Sequence, residues 1–330
     1  MFSETVIRGV DFRPALFCAP LAGITHSAFR RLVAEFGGCG AFFTEMLSGH
    51  SLFGEDPRRS PYLRRSSGER RLIYQLMVSD THRLEEIIGR LSEIGADGLD
   101  INLACHAPLI RMRAAGSRLF DNLPVLAAVL ETTRRCWPGL LTVKVRLGRA
   151  APDWEARFAE RMRLFEAAGV DAVILHPRFF EDKFKRRARH ELLAWAASLT
   201  RLPLIANGDI RGAETVRGKP AWFGHVAAVM VGRMAVARPW VFAAWERPVA
   251  VDYADVWRRL FEYTCEDFPP GRALGRIKLF TEYYARNFQF GHALQVAVQN
   301  ACTLESARER ADEFFRASPA ILPEPSLDGV

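Results

Sequence analysis

Short apolar runs recur along the chain, each followed by a stretch in which apolar residues return every three or four positions. The runs occupy 16–20, 41–46, 72–77, 98–103, 141–147, 171–176, 202–206 and 227–231. They are rich in β-branched and aromatic residues and apolar on both faces, the pattern of a parallel sheet covered by helices. Between them, "DTHRLEEIIGRLSEIGA" (80–96) and "DWEARFAERMRLFEAAGV" (153–170) read as amphipathic helices. Each opens on an aspartate suited to capping and reaches a glycine at its end. Eight such units in about 230 residues predict an α/β fold of the TIM (β/α)8 barrel class. A doubly wound sheet is the alternative, weakened because no GxGxxG follows the first run.

Past the eighth unit the pattern changes. The stretch "ERPVAVD" (246–252) reads as a linker, and 253–268, 272–288 and 303–316 read as helices before a proline-containing tail from Ala317. The expected organisation is a barrel domain over 1–248 and a small helical domain over 249–330.

The chain has 330 residues, 49% hydrophobic and 25% charged, enough apolar material for a large core. Its opening "MFSETVIRGVDFRP" has no basic stretch followed by an apolar one, so no signal peptide is expected. The most apolar long window, 226–245, contains Arg233 and Arg238 and is too polar to span a membrane. A cytoplasmic monomer is the expectation. The six cysteines (Cys18, Cys39, Cys105, Cys136, Cys265 and Cys302) include no CxxC pair, so neither disulfides nor a metal site is expected. A net charge of +7 permits an anionic partner. Only five of the 45 basic residues are lysine, a skew that genome base composition alone can produce.

A barrel takes its chemistry from the C-terminal ends of its strands. Those ends carry, in order, Pro20–Leu21–Ala22, Glu45, Gln75, Asn102 with Cys105, Lys144 with Arg146, His176, Asn207–Gly208–Asp209, and Gly232–Arg233. Any one of these is an ordinary turn or a solvated charge; polar groups at nearly every end make a site. In barrels that hold a phosphorylated ligand, the phosphate sits at the last two loops. Here those loops offer glycine backbone and Arg233. Gln75 and Lys144 suit the edge of a planar ring bearing carbonyls, and a lysine beside a flavin's pyrimidine stabilises its reduced, negative form. Cys105 on its own is ambiguous, because a lone cysteine is more often core filling.

Taken together, "APLAGITHSAFRRL", "TEM", "YQLM", "GLDINLAC", "VKVRLG", "VILHPR", "LIANGDI" and "VMVGRMAVARPW" resemble, in order and spacing, the tRNA-dihydrouridine synthases. The resemblance runs from about Pro14 to Phe242, and the tail is more loosely similar to that family's helical domain. It implies an FMN-dependent enzyme that uses NADPH to reduce uridine to 5,6-dihydrouridine in tRNA or another structured RNA. FMN would be held by Pro20, Leu21, Ala22, Gln75, Lys144, His176, Asn207, Gly208, Asp209, Gly232 and Arg233. Cys105 would protonate uracil C5, while Asn102 and Arg146 would hold the base. An ordinary thiol, with a pKa of ~8.5, is still protonated at neutral pH and suits that role.

A base in folded RNA must also be swung out of its stack, so something must grip the RNA outside the pocket. The loop "FFEDKFKRRARH" (179–190) interleaves Lys183, Lys185, Arg186, Arg187 and Arg189 with aromatics. It reads as a phosphate grip or, equally on its own residues, as a solvated helix start. Arg272, Arg276, Lys278 and Arg286 are a second candidate basic face.

The chain departs from the family where the substrate would lie. The family's Gly-Cys-Pro and following lysine are replaced by Ala104, Cys105, His106 and Leu109, and Pro177 stands where the family has a small residue. A protonated His106 near the sulfur would favour the thiolate; alternation along an extended strand end directs it to the other side. Two further readings stay open: a flavin barrel reducing a small-molecule C=C bond, and a relative that binds its ligand without turnover.

Overall fold

A computed structural model describes residues 2–182 and 185–327. Two short strands, β1 (Thr5–Ile7) and β2 (Val10–Phe12), pair as an antiparallel hairpin that the apolar pattern did not announce. The expected runs follow as β3 (Leu16–Cys18), β4 (Ala41–Phe43), β6 (Leu72–Met77), β7 (Gly98–Asn102), β8 (Leu140–Arg146), β9 (Ala172–His176), β10 (Leu204–Asn207) and β11 (Ala228–Val231). A two-residue strand, β5 (Leu47–Ser48), continues β4 after a kink and pairs with β6. All these pairings are parallel. Because β4 joins both β3 and β6, and β11 joins β3, the sheet closes into an eight-stranded barrel. Closure excludes the doubly wound alternative.

Strand alternation divides the core in two. Phe17, Phe43, Ile73, Leu140, Ile174, Ile205 and Met230 pack together inside the barrel, and Ile7 and Phe12 of the hairpin join them to plug its lower end. Their neighbours in sequence, including Leu99, Ile101, Val143, Val145 and Leu175, pack against the surrounding helices. Moving up the barrel, the interior positions turn polar in two steps. Gln75, Asp100 and Thr142 lie side by side in register. Two residues further along, Asn102 lies beside Lys144, near His176 and Asn207 at the ends of their strands.

The two expected helices are present as Leu84–Glu93 and Trp154–Ala167, shorter at both ends. Their aspartates do not cap them: Asp80 accepts from the backbone of His82, and Asp153 pairs with Arg157 at 2.7 Å. The glycines do stop them, since Gly95 and Gly169 sit at φ +75° and +73°, where a side chain is strained.

The C-terminal helices span Tyr253–Asp267, Pro270–Tyr284, His292–Gln299 and Leu304–Arg316. The third was not anticipated. Residues of Tyr253–Asp267 meet the first barrel helix, Ser27–Phe36, through Arg31–Glu266 and Tyr263–Glu35, both at 2.7 Å. Beneath that contact Arg30 and Glu69 form a fully buried ion pair at 3.1 Å, and Arg30 also donates to the carbonyls of Thr25 and Arg64. Among the described residues no helix is long and apolar enough to cross a membrane.

Candidate active site

A cavity of about 1090 Å³ opens at the C-terminal ends of the barrel strands. Its wall includes Pro20, Leu21, Ala22, Asn102, Cys105, Lys144, Arg146, His176, Asn207, Gly208, Asp209, Gly232 and Arg233, together with Lys185 and Arg186 from the basic loop. That volume is at the top of the ~300–1,000 Å³ range usual for one small ligand, which leaves room for two planar groups.

Gln75 sits apart from the other expected cofactor residues. It is fully buried and does not line the cavity. The register explains why: Gln75 stands level with Asp100, one interior layer beneath Asn102 and Lys144. Lys183 lies outside the described residues. Arg189 also departs from expectation, because Asp182 draws its guanidinium back into an ion pair and over the ring of Phe179, away from the mouth. Arg276 is likewise turned inward, to Tyr62 (3.0 Å) and Glu45 (3.4 Å), and does not stand on an open basic face.

Cys105 sits just past the end of β7. Asn102 accepts from the backbone N–H groups of Ala104 and Cys105, at 3.1 and 3.0 Å, forming the turn that brings the cysteine to the cavity wall. Ser117 N–H then donates to the carbonyl of Cys105 at 2.9 Å and closes the loop. Gly116 makes that closure possible, since a Cβ there would lie 2.5 Å from the Cys105 carbonyl oxygen. His106 is held elsewhere. Its Nδ1 lies 3.0 Å from Ser117 Oγ, and its ring stacks on Phe180 with an interplanar angle of 10°. Partial burial, then the charges of Arg111 and Arg149, hold its pKa below the usual value, so at neutral pH it is uncharged.

From the cysteine onward the site is cationic. Lys144 is pushed down to about 8 by burial, with Arg146 adding repulsion and Asp100 attraction. Burial and the surrounding Lys144, Arg146, Arg178 and Arg233 keep His176 neutral. Arg178 Nη1 lies 2.7 Å from His176 Nε2; a guanidinium can only donate, so Nε2 accepts and the ring proton is on Nδ1.

Asp209 ties this end together. It accepts from Arg178 (2.7 Å), Arg233 (2.9 Å) and the backbone of Ala188 (2.8 Å). Burial works against its charge, but those donors hold its pKa below the usual carboxylate value. Gly208 before it adopts φ +99°, and a Cβ there would stand 2.4 Å from the His176 ring. Only glycine fits, and bare backbone is thereby presented to the cavity.

Arg178 was missed from sequence; it is 2% exposed. The tail was missed as well. Leu327 lines the cavity and its carbonyl accepts from Arg233, while Glu324 pairs with Arg211 at 3.0 Å. Nothing in their local sequence signals this, because the contacts join residues 94 and 113 positions apart.

These residues fit a flavin mononucleotide. Bare backbone at Gly208, with Arg233 and Arg211 close by, suits a phosphate, and Lys144 suits an electron-rich ring edge. Fold and site together define a (β/α)8 barrel of the flavoenzyme type, with a cavity at the C-terminal ends of its strands and the Cys105 thiol on the cavity wall. Residues 17–315 match the dihydrouridine synthase (Dus) family, and the chain belongs to it. It is 29% identical over 311 residues to a probable tRNA-dihydrouridine synthase of Helicobacter pylori, covering 91% of this chain and 92% of that one. It is 32% identical to the tRNA-dihydrouridine synthase B of Pseudomonas aeruginosa, over 69% of this chain and 67% of the relative. Among solved structures, the old yellow enzyme from Trypanosoma cruzi superposes with a TM-score of 0.52 at 11% identity, covering 76% of this chain and 93% of that one. At that identity the likeness is one of fold.

Proposed function

We propose that this protein reduces uridine to 5,6-dihydrouridine in RNA, with tRNA as substrate, FMN as bound cofactor and NADPH as reductant, in the cytoplasm. Family membership supports the reaction. The observation that carries it is the thiol of Cys105, held by Asn102 and Ser117 at the wall of a cavity that also takes in Lys144, Gly208 and Arg233.

Bound flavin would supply a hydride to uracil C6. The residues of this chain do the rest. Cys105 gives its Sγ proton to C5, so the C5=C6 bond gains a hydride and a proton, and the thiolate takes its proton back from water. Lys144 provides positive charge for an anionic ring edge. Asn102 spends its oxygen on two backbone donors and one N–H on Gln75, which leaves one N–H to meet a uracil carbonyl. Arg146, 7% exposed and on the cavity wall, is the second anchor for the base. Neutral His106, turned to Ser117 and Phe180, does not draw the proton from the sulfur. Lys185, Arg186 and Arg187 stand at the mouth, where RNA phosphates would pass. The division of labour is a catalytic barrel (1–248) and a helical part (249–330) that adds RNA contacts.

Mass spectrometry of RNA from cells with and without the gene tests the reaction. Loss of dihydrouridine at specific positions is expected, and an unchanged dihydrouridine map rejects the reading. Purified protein should be yellow and release the mononucleotide.

A further inference from the structure

Asp100 has no place in the chemistry above, yet it is a carboxylate with 0% exposure directly under the site. Burial pushes its pKa up to about 6, so at pH 7 it still carries its charge. An ionised group in such a place costs stability unless it is well bonded, and apolar residues fill the interior positions just below it. Its bonds run upward to the cysteine. Asp100 Oδ1 accepts from Thr142 Oγ1 and Oδ2 from Gln75 Nε2, both at 2.6 Å. Gln75 Oε1 accepts from Asn102 Nδ2 at 2.8 Å, and Asn102 Oδ1 accepts from the backbone N–H groups of Ala104 and Cys105.

The polarity of this chain is fixed from both ends. A carboxylate only accepts, so Gln75 must turn its NH2 to Asp100 and its oxygen to Asn102. Asn102 must then turn its NH2 to Gln75 and its oxygen to the cysteine turn, where backbone N–H groups only donate. Flipping either amide would set donor against donor or acceptor against acceptor in a buried space, at the cost of leaving buried groups unsatisfied. Remove the carboxylate and Gln75 Nε2 becomes a buried donor without its acceptor, so the relay is held only from above and Gln75 no longer braces Asn102.

We propose that Asp100 is a positioning residue: through Gln75 and Asn102 it sets the turn that holds Cys105 at the cavity wall. The proposal rests on reading Cys105 as the acid. It assigns Gln75 a relay role between Asp100 and Asn102.

The test separates the two half-reactions. Reduction of the bound flavin by NADPH does not use Cys105, whereas reoxidation by RNA does. Asp100→Leu removes the terminal acceptor, and Gln75→Met breaks the relay while leaving Asp100 in place. Asp100→Asn also loses the charge, but it keeps an oxygen for Gln75 and can donate to Thr142. At pH 6.5, where Lys144 stays protonated, Asp100→Leu and Gln75→Met should slow reoxidation by RNA about 10–100-fold, and Asp100→Asn should recover most of that loss. Flavin reduction should be equal in the Asn and Leu variants. The rate at which iodoacetamide alkylates Cys105 in the free enzyme should change in Leu and Met but not in Asn, a readout that needs no turnover. Equal reoxidation rates for Asp100→Asn and Asp100→Leu, or a parental rate for Gln75→Met, overturn the proposal. With Cys105→Ala run alongside, a slow RNA step there beside parental rates in the relay variants defeats the relay and leaves the acid reading standing. A parental rate in Cys105→Ala defeats both.

Discussion

Replacing Lys144 by methionine should make the flavin-free protein more stable and the flavin-bound protein weaker. Lys144 is buried at the cavity wall, and burial followed by repulsion from Arg146 lowers its pKa from 10.5 to about 8. At ~1.4 kcal/mol per pKa unit, keeping that ammonium charged at pH 7 costs on the order of 3 kcal/mol of folding stability. The folded-state pKa lies below the unfolded one, so between pH 8 and 10.5 the unfolded chain holds more protons. Stability from this group is therefore lowest below pH 8, rises through that window, and is fully recovered above it. Urea denaturation of flavin-stripped protein at pH 7, 8, 9 and 10 reads this directly, and Lys144→Met should abolish the rise. An anionic ligand edge offsets the same cost by meeting the charge. Flavin affinity should then fall as pH passes 8 in the parent and be weak but less pH-dependent in the variant. If Lys144→Met is less stable than the parent at pH 7 and binds flavin normally, the assignment of a strained cation awaiting its ligand is wrong.

Cys105→Ala should retain flavin and its reduction by NADPH but lose ~10²–10⁴-fold in reoxidation by RNA, the usual effect of removing a general acid; stopped-flow absorbance at the flavin band separates the two steps. Reversing the charges of Lys185, Arg186 and Arg187 should flatten the dependence of log affinity for tRNA on log salt by roughly 0.7–0.9 per lost phosphate contact, and an unchanged slope would reduce the cluster to a solvated face. Glu69→Ala should cost about 3–5 kcal/mol in chemical denaturation, because it strands the fully buried Arg30 without its counter-charge; a loss under about 1 kcal/mol would show that Arg30 is satisfied by the Thr25 and Arg64 carbonyls alone. His106→Pro should keep the RNA step within a few-fold while His106→Ala slows it more, and equal rates in the two would mean that the His106 side chain does not steady the loop.

The barrel could be read from the chain because its strands are apolar on both faces, alternate with helices and end in polar groups. The closing hairpin could not. Its strands are three residues each, Thr5–Ile7 and Val10–Phe12, too short to show a period. Gln75 shows the other limit. Strand ends are visible in a sequence, but register is a property of the pair of strands. Only the pairing of Gln75 with Asp100, and of Asn102 with Lys144, shows that the glutamine starts one interior layer beneath the cavity wall, bonded to Asp100 and Asn102. One basic residue was missed and two were misplaced for a related reason. Arg178, Arg189 and Arg276 are each claimed by a partner whose position the local sequence does not reveal: Asp209, Asp182 and Glu45.

The departures around the cysteine look severe in sequence and mild in three dimensions. A proline after the cysteine would stiffen the loop through its own fixed φ. Here His106 does so from its side chain, with one ring nitrogen on Ser117 and the ring face on Phe180. Ser117 also bonds the Cys105 carbonyl through its backbone N–H, so a single residue anchors both the cysteine and the histidine. Gly116 supplies the φ of +59° and the missing Cβ that this closure needs. The loop has exchanged a backbone constraint for a side-chain one. That exchange is open to pH where a proline is not. Protonating His106 would place a further positive charge among Arg111, Arg149 and Arg146, which add to burial in depressing its pKa. The RNA step should therefore weaken in acid below the usual histidine range, and His106→Pro should remove that acid limb while leaving the neutral-pH rate in place.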